Sequence, residues 1–308
     1  MPVSRFSTLA GIPERTYRHR LARLRAGSPA KGPWPAPSVD AIEPIAAKYA
    51  ADRPAWGHRK IAAMLRADGY QVSDSTVERA LRRRNLLLPQ GFRADHKTMA
   101  RARRQVFSEP PTHRNRVWQM DFSEFETTGG GIWRLCAVVD YAAKYCLAAT
   151  VTPTSRAGDA IACVKAAITE ASELLGLVDL RDDRALADLV DEDTGQIIGT
   201  APVPIALVSD NGSAFKATRF AALFNGEDPL LKHVRTRVRS PQTNGVVERF
   251  FGTAKYEHLY RADIPDGDAL TVELNLFRND YNTTRPHQAL GYKTPLLAYL
   301  QGQTRQDS

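Results

Sequence analysis

The pattern of apolar residues changes at Val117, and this change limits the fold more than any other feature of the chain. Three strand-like segments, 117–126, 132–141 and 145–152, follow one another, separated by the turns at 129–131 and 142–144. Farther on, a helical segment (156–175), a short apolar strand (205–209), a helix (217–224), a strand (232–239) and two helices (245–260 and 268–281) are predicted. Strands first, then alternating helices and strands, predict an α/β fold with a mixed five-stranded sheet flanked by helices.

The first 88 residues lack this strand pattern and read as two small all-α units. Residues 1–27 form helix, turn and helix, with Arg15, Arg18 and Arg20 on the second helix. Residues 38–88 repeat this layout, with a predicted capping box from Ser75 to Glu78 ahead of the basic run 82–84. Such helix pairs are common in proteins that never contact DNA, but two in tandem within a basic region favour DNA binding.

Charge is distributed unevenly along the chain. Residues 1–110 carry 21 Lys and Arg against 9 Asp and Glu, whereas the remainder carries 21 against 25. The basic front third predicts a polyanionic partner, since phosphate contacts release counterions; a solubilising surface is the alternative. By composition, 28–37 is a linker, 89–116 a basic connector, and the acidic stretch at about 177–204 a solvated surface insertion.

Neither a membrane protein nor a disulfide-stabilised or zinc-binding one is predicted. The chain has no apolar run long enough to span a bilayer and no secretory signal at its start, so we expect it in the cytoplasm, associated with the nucleoid. Cys136, Cys146 and Cys163 are odd in number and lack Cys-x-x-Cys spacing, so they are predicted to be core residues.

Three acidic residues in distinctive surroundings predict the chemistry. Asp121 lies within the first strand, Asp210 follows the apolar strand 205–209, and Glu248 begins a helix. Two magnesium ions need one bridging carboxylate and one flanking carboxylate each, and we expect Asp121 to be the bridge. These residues are the predicted catalytic and metal-binding set for cutting and joining phosphodiesters.

Four segments around these acids resemble the core motifs of bacterial insertion-sequence transposases with a retroviral-integrase-like DDE domain. They are Val117-Trp-Gln-Met-Asp121, Val208-Ser-Asp-Asn-Gly212, Ser240-Pro-Gln-Thr-Asn-Gly-Val-Val-Glu248 and Tyr281-Asn-Thr-Thr-Arg-Pro-His-Gln-Ala-Leu-Gly291. The resemblance covers about residues 117–299 and also includes the second helix-turn-helix. It implies an RNase H-like catalytic core, assigned to 117–262 with a C-terminal helical extension at 263–308, and two Mg²⁺ ions that Mn²⁺ can replace.

Three features depart from this family or compete with the assignment. The interval between Asp121 and Asp210 is 88 residues, longer than the family pattern, and the acidic insertion explains it. The interval from Asp210 to Glu248 is 37 residues, which fits a slightly longer loop around 225–229. Asp140 also ends an apolar strand, but hydrogen bonding within the hairpin is a more ordinary role for it than metal binding.

Candidate DNA contacts surround the catalytic residues. Arg235, Arg237 and Arg239 alternate along a strand, so one strand face either follows phosphates or is simply solvated. Lys255 lies two helical turns after Glu248 and therefore on the same helix face. The resemblance implies DNA contacts for Lys255 and for the loop carrying Gln242 and Asn244, whereas Arg285 and His287 are as compatible with packing. The basic helix residues complete the predicted set: Arg15, Arg18, Arg20, Arg82, Arg83 and Arg84.

These observations predict a transposase that binds the terminal repeats of its own mobile element, cleaves the DNA strand and transfers it to target DNA. Its expected partners are double-stranded DNA, at the element ends and at the target, and further copies of the chain in a dimer or larger assembly. The alternatives are a catalytically inactive integrase-like DNA-binding regulator or assembly factor, and a nuclease of the same fold that cleaves without joining.

Overall fold

The computed structural model describes residues 3–27, 39–88, 111–190, 196–235 and 244–302. The described helices are α1 (Val3–Ala10), α2 (Glu14–Arg25), α3 (Val39–Asp52), α4 (His58–Ala67), α5 (Asp74–Arg83), α6 (Ala157–Leu175), α7 (Ser213–Lys216), α8 (Thr218–Ala221), α9 (Gly245–Glu257), α10 (Gly267–Thr283) and α11 (Pro295–Gln301). The strands are β1 (Val117–Glu126), β2 (Ile132–Asp140), β3 (Cys146–Thr152), β4 (Leu186–Val190), β5 (Ile197–Pro202), β6 (Ile205–Ser209) and β7 (Leu231–Arg235).

A mixed five-stranded sheet forms the centre of the second half, as the alternation of elements predicted. Its strand order is β3-β2-β1-β6-β7. The β1-β2 and β2-β3 pairs are antiparallel, whereas β6 lies parallel to both β1 and β7. This three-stranded meander followed by parallel strands confirms the RNase H-like fold class.

Both faces of the sheet are covered, and alternate residues of β1 therefore belong to different cores. Trp118 and Met120 pack on the side of α6, with Val164 among their buried neighbours. Phe125 packs on the opposite side with residues of α9 and α10, including Phe250. Since strand side chains alternate, Asp121 points to the same side as Phe125, the side on which α9 lies.

The helices α3, α4 and α5 enclose a small apolar core of their own, which includes Ile61, Leu65 and Leu81. The helix α5 begins two residues earlier than expected: Ser73 is its N-cap, with its side chain accepting from the amide of Thr76. The prediction of a capping box at Ser75 was therefore wrong, because Ser73 already satisfies that first-turn amide.

This helical unit contacts the sheet domain through charged side chains. The ammonium group of Lys60 on α4 lies 2.8 Å from the carboxylate of Glu257 at the end of α9. Arg53 lies 2.6 Å from Asp280 on α10. The ring of Trp56 lies against both cations, 5.0 Å from the Arg53 guanidinium and 5.7 Å from the Lys60 ammonium. Packed aromatic and charged groups thus join the two domains.

The acidic insertion contains both packed and exposed parts. Leu180 is buried, and Asp183 forms a two-pronged ion pair with Arg114. The strands β4 and β5 then form a separate antiparallel hairpin that does not join the main sheet. The three cysteines are buried and unpaired, as predicted from their spacing.

No helix among the described residues is both long enough and apolar enough to span a membrane.

Candidate active site

Neighbouring parallel strands place Asp121 and Asp210 side by side. In the β1-β6 register, Gln119 is paired with Val208. Asp121 lies two residues after Gln119, and Asp210 lies two residues after Val208, in the same direction because the strands are parallel. The chain turns immediately after Asp210, where Oδ1 accepts a hydrogen bond from the Gly212 amide at 2.9 Å. A Cβ on Gly212 would lie only 3.0 Å from that oxygen, so the glycine permits the tight exit from β6.

The third carboxylate, that of Glu248, is positioned by contacts between β1 and the start of α9. The side-chain oxygen of Gln119 accepts hydrogen bonds from the amides of Val246 (2.8 Å) and Val247 (3.3 Å). Asn244 donates to the Met120 carbonyl at 3.0 Å. The two bonds to Gln119 satisfy amides that a helix N-terminus leaves unpaired, and all three bonds hold the start of α9 against the strand segment that carries Asp121.

The electrostatics of the site show that the three acids lie within range of one another. Burial, together with the negative charges of Asp210 and Glu248, raises the pKa of Asp121 to about 7. Hydrogen bonds from the Phe122 amide and the Asn244 side chain act in the opposite direction. The site therefore disfavours a third negative charge, and any bound cation would relieve that repulsion.

Within the described ranges, no group of three His, Cys, Asp or Glu side chains has an arrangement that would hold a metal ion. The Asp121 carboxylate faces the Phe122 amide at 2.8 Å, and the Asp210 carboxylate faces the Gly212 amide. The structure thus gathers the acids within electrostatic range without closing them around one point. The donor set consists of carboxylate oxygens, which suit magnesium or manganese.

Asp140 is fully buried and has a structural role. Its two oxygens accept hydrogen bonds from the amides of Asn115 (2.8 Å) and Ala143 (2.7 Å). Burial raises its pKa to about 6 despite these bonds. The prediction that this acid bonds within the hairpin is confirmed, and both of its oxygens are already used.

Lys255 extends the site along β1. Its ammonium group donates to the Ser123 hydroxyl at 2.7 Å, two residues beyond Asp121 on the same strand face. Burial lowers its pKa, while the charge of Glu124 raises it. A cation therefore lies on the strand face of Asp121, two residues farther along β1, and on the helix that carries Glu248.

The other predicted DNA contacts fall into three groups. Gln242, Arg237 and Arg239, together with the side chain of Arg20, lie outside the described part of the chain. Arg15 and Arg235 are exposed. Four arginines of the helical units pair with acids: Arg18 with Glu14, Arg82 with Glu78, and Arg83 and Arg84 with Glu43.

Asn244 does not support the DNA contact predicted for it, because it is only 3% exposed and bonds to the β1 backbone. Arg285 and His287 are also buried, and Arg285 forms a two-pronged pair with Glu257. Packing is thus their role in this structure. Sequence reasoning missed Gln119, whose buried amide stands in an apolar strand; that polar residue beside Asp121 was the available signal.

Comparison with known proteins identifies relatives of the chain. Residues 231–295 match the model of the integrase core domain, and residues 39–91 match that of an HTH-like domain. The transposase InsD for insertion element IS2A/D/F/H/I/K of Escherichia coli is 29% identical over 251 residues, which cover 79% of this chain and 72% of that protein.

Solved structures of retroviral integrases are also similar. The HTLV-2 integrase catalytic core domain in complex with magnesium has a TM-score of 0.40 and 19% identity, covering 60% of this chain and 96% of that one. A chain of the simian T-cell lymphotropic virus intasome has a TM-score of 0.42 and 18% identity, covering 82% and 74%. By its sequence relatives and its matched domains, the chain is a homologue of insertion-element transposases, with an HTH-like domain ahead of an integrase core.

Proposed function

We propose that the chain is an active DDE transposase in which Asp121, Asp210 and Glu248 are the catalytic and metal-binding residues. The observation that carries this proposal is geometric: the β1-β6 register sets Asp121 and Asp210 side by side, and Gln119 holds the first turn of α9, which carries Glu248, against β1. Three carboxylates from three separate elements share one electrostatic environment. Asp140 differs from them in that both of its oxygens accept hydrogen bonds from backbone amides.

The three acids would hold two magnesium or manganese ions, which supply Lewis-acid activation of the attacking oxygen and stabilisation of the leaving one. Asp121, adjacent to both other acids, suits the bridging position. Gln119 and Asn244 hold the start of α9 against β1, so that Glu248 would reach the ions from the side of the sheet on which α9 lies.

The reaction proposed is hydrolysis of a phosphodiester at an element end, followed by in-line attack of the freed 3′-hydroxyl on target DNA. Lys255 would neutralise a phosphate next to the reacting one, since it lies on the same helix as Glu248 and contacts β1 at Ser123. The helix-turn-helix units would bind the terminal repeats. Arg83 and Arg84 would exchange their shared partner Glu43 for DNA phosphates. Because two ends are joined in concert, the working form is proposed to be a dimer or larger.

A labelled oligonucleotide carrying the terminal repeat, incubated with Mg²⁺ and target DNA, tests this function. Sequencing the DNA on either side of the gene would identify the repeat as an inverted sequence. Cleavage followed by strand transfer supports a transposase, cleavage alone a nuclease, and binding alone an inactive regulator.

The substitution Asp121→Asn is expected to abolish cleavage and joining while end binding remains. Asp188→Asn, at an exposed acid of the β4-β5 hairpin, is the matched control and should react like the parent protein. Joining by Asp121→Asn at the parental rate would refute the assignment.

A further inference from the structure

Successive residues on one face of β1 are met by successive residues along α9 and the turn that follows it. Asn244 bonds beside Asp121, Lys255 bonds to Ser123 at 2.7 Å, and Tyr260 stacks on Phe125. The two stacked rings lie with centroids 5.7 Å apart and planes 21° from parallel. The strand β1 thus leads from the candidate active site to an aromatic surface formed by Phe125, Tyr256 and Tyr260.

That surface is unusually open for aromatic residues. Tyr260 is 58% exposed and Tyr256 is 62% exposed, although both side chains are large. Their rings meet edge to face at 5.4 Å. Phe125, buried beneath Tyr260, fixes one ring from below, so the upper face of Tyr260 is directed outward.

A shallow cleft of about 520 Å³ adjoins Tyr260 and is lined by residues 124–128 and Ile132. Glu124 and Glu126 line this cleft, and their carboxylates would repel a phosphate there, although Glu124 also pairs with Arg134 at 3.2 Å. Lys255, which bonds to Ser123 between Asp121 and Phe125, would attract a phosphate outside the cleft. These charges favour a nucleotide whose base, and not its phosphate, lies against the tyrosines.

We propose that Tyr260, supported by Phe125 and bordered by Tyr256, stacks an unpaired nucleobase of the element end. This inference rests on the proposed transposase function and adds a ligand site to it. Four residues of strand separate Asp121 from Phe125, about 13 Å at 3.3 Å per residue. That distance is about four base-pair steps of DNA at 3.4 Å each. Aromatic faces stack bases irrespective of sequence, so the site would hold a frayed end open beside the scissile phosphate.

The test uses full-length protein and terminal-repeat duplexes that carry 2-aminopurine at one position at a time, within six nucleotides of the cleavage site. In the parent complex, fluorescence should be quenched by stacking on Tyr260 at one or two of these positions. Tyr260→Ala should remove that quenching and weaken binding of frayed ends by about fivefold or more. Tyr260→Phe should retain both properties within about twofold.

Tyr260→Leu covers Phe125 without offering an aromatic face, and it keeps the test valid if the alanine variant is unstable. Leu276→Ala, at an exposed apolar residue of α10, is the matched control and should not alter the quenching. Parental quenching and affinity in a folded Tyr260→Leu protein would overturn the stacking site. Cleavage and joining by that same protein would leave the proposed function standing, whereas a parent protein that binds but never cleaves would remove the function itself.

Discussion

Replacing Asp121 by asparagine should stabilise the metal-free protein, even though it removes the central residue of the candidate site. The Asp121 pKa lies at about 7 instead of 3.8, first because of burial and then because of the charges of Asp210 and Glu248. At 1.36 kcal/mol per pKa unit, that difference corresponds to roughly 4 kcal/mol against the ionised form at pH 8. Asparagine has a similar shape, keeps an oxygen for the Phe122 amide and carries no charge.

The pH dependence of this effect follows from proton linkage. Between pH 3.8 and about 7 the folded chain holds a proton on Asp121 that the unfolded chain has lost, so the free energy of unfolding of the parent protein decreases as pH rises. Asparagine does not titrate. The advantage of Asp121→Asn should therefore be near zero below pH 4, increase through the window and remain constant above pH 7.

Thermal unfolding in EDTA, measured at pH 4 and pH 8 for both proteins, checks this reasoning. We expect the variant to melt several degrees higher at pH 8, since a change of 1 kcal/mol moves the midpoint by about 2–4 °C in chains of this order of size. Magnesium should raise the midpoint of the parent protein and not that of the variant. Equal midpoints for the two proteins at pH 8 would show that ionised Asp121 does not destabilise the fold. The same conclusion would follow if the variant melted higher than the parent by as much at pH 4 as at pH 8. Asp188→Asn should show neither effect.

Three other changes test neighbouring parts of the structure. Gln119→Leu leaves the first amides of α9 without their acceptor, so the free energy of unfolding should fall by about 1–3 kcal/mol in urea titrations, with loss of strand transfer. Glu257→Gln should cost roughly 3 kcal/mol at pH 7, because Lys60 and Arg285 lose a partner that both contact within 2.8 Å. Although burial alone raises the Glu257 pKa, Arg285 and Lys60 lower it to about 2, so the parent protein should lose this contribution as pH falls from 4.5 towards 2 while the variant does not. Lys255→Ala should weaken end binding and reduce the slope of log affinity against log salt by about one, as expected for a lost phosphate contact; an unchanged slope would exclude that contact.

The sheet was predictable from sequence because its strands are short, apolar and separated by turn residues. Each of β1, β2 and β3 begins or ends within one residue of its predicted limits. Asp121 and Asp210 could be predicted to meet because acids in or after neighbouring strands share one region of a sheet. The N-cap of α5 was placed two residues late, because Ser73 and Ser75 both suit that position and only the backbone decides between them.

Contacts between distant segments were not predictable in the same way. Lys60 and Glu257 are 197 residues apart, and neither has a local pattern that names its partner. Asn244 and Gln119 belong to motifs that suggest chemistry, yet both side chains hold α9 against β1 from inside the fold. A buried side chain positions other residues of the site, whereas an exposed one is able to touch a ligand. The sequence alone does not reveal which of the two applies at such positions.

The helix α9 is the element that connects these observations. Its first turn carries Glu248 and is bound by Gln119, its last turn carries Lys255, and its final residue is Glu257. Glu257 forms ion pairs with both Lys60 of the helical unit and Arg285 of the C-terminal segment. A movement of the HTH-like domain on binding DNA would therefore act on the end of the helix that supplies a candidate catalytic carboxylate. Under the proposed function, the ion pairs at Glu257 therefore lie between the proposed end-recognition domain and the helix that carries Glu248.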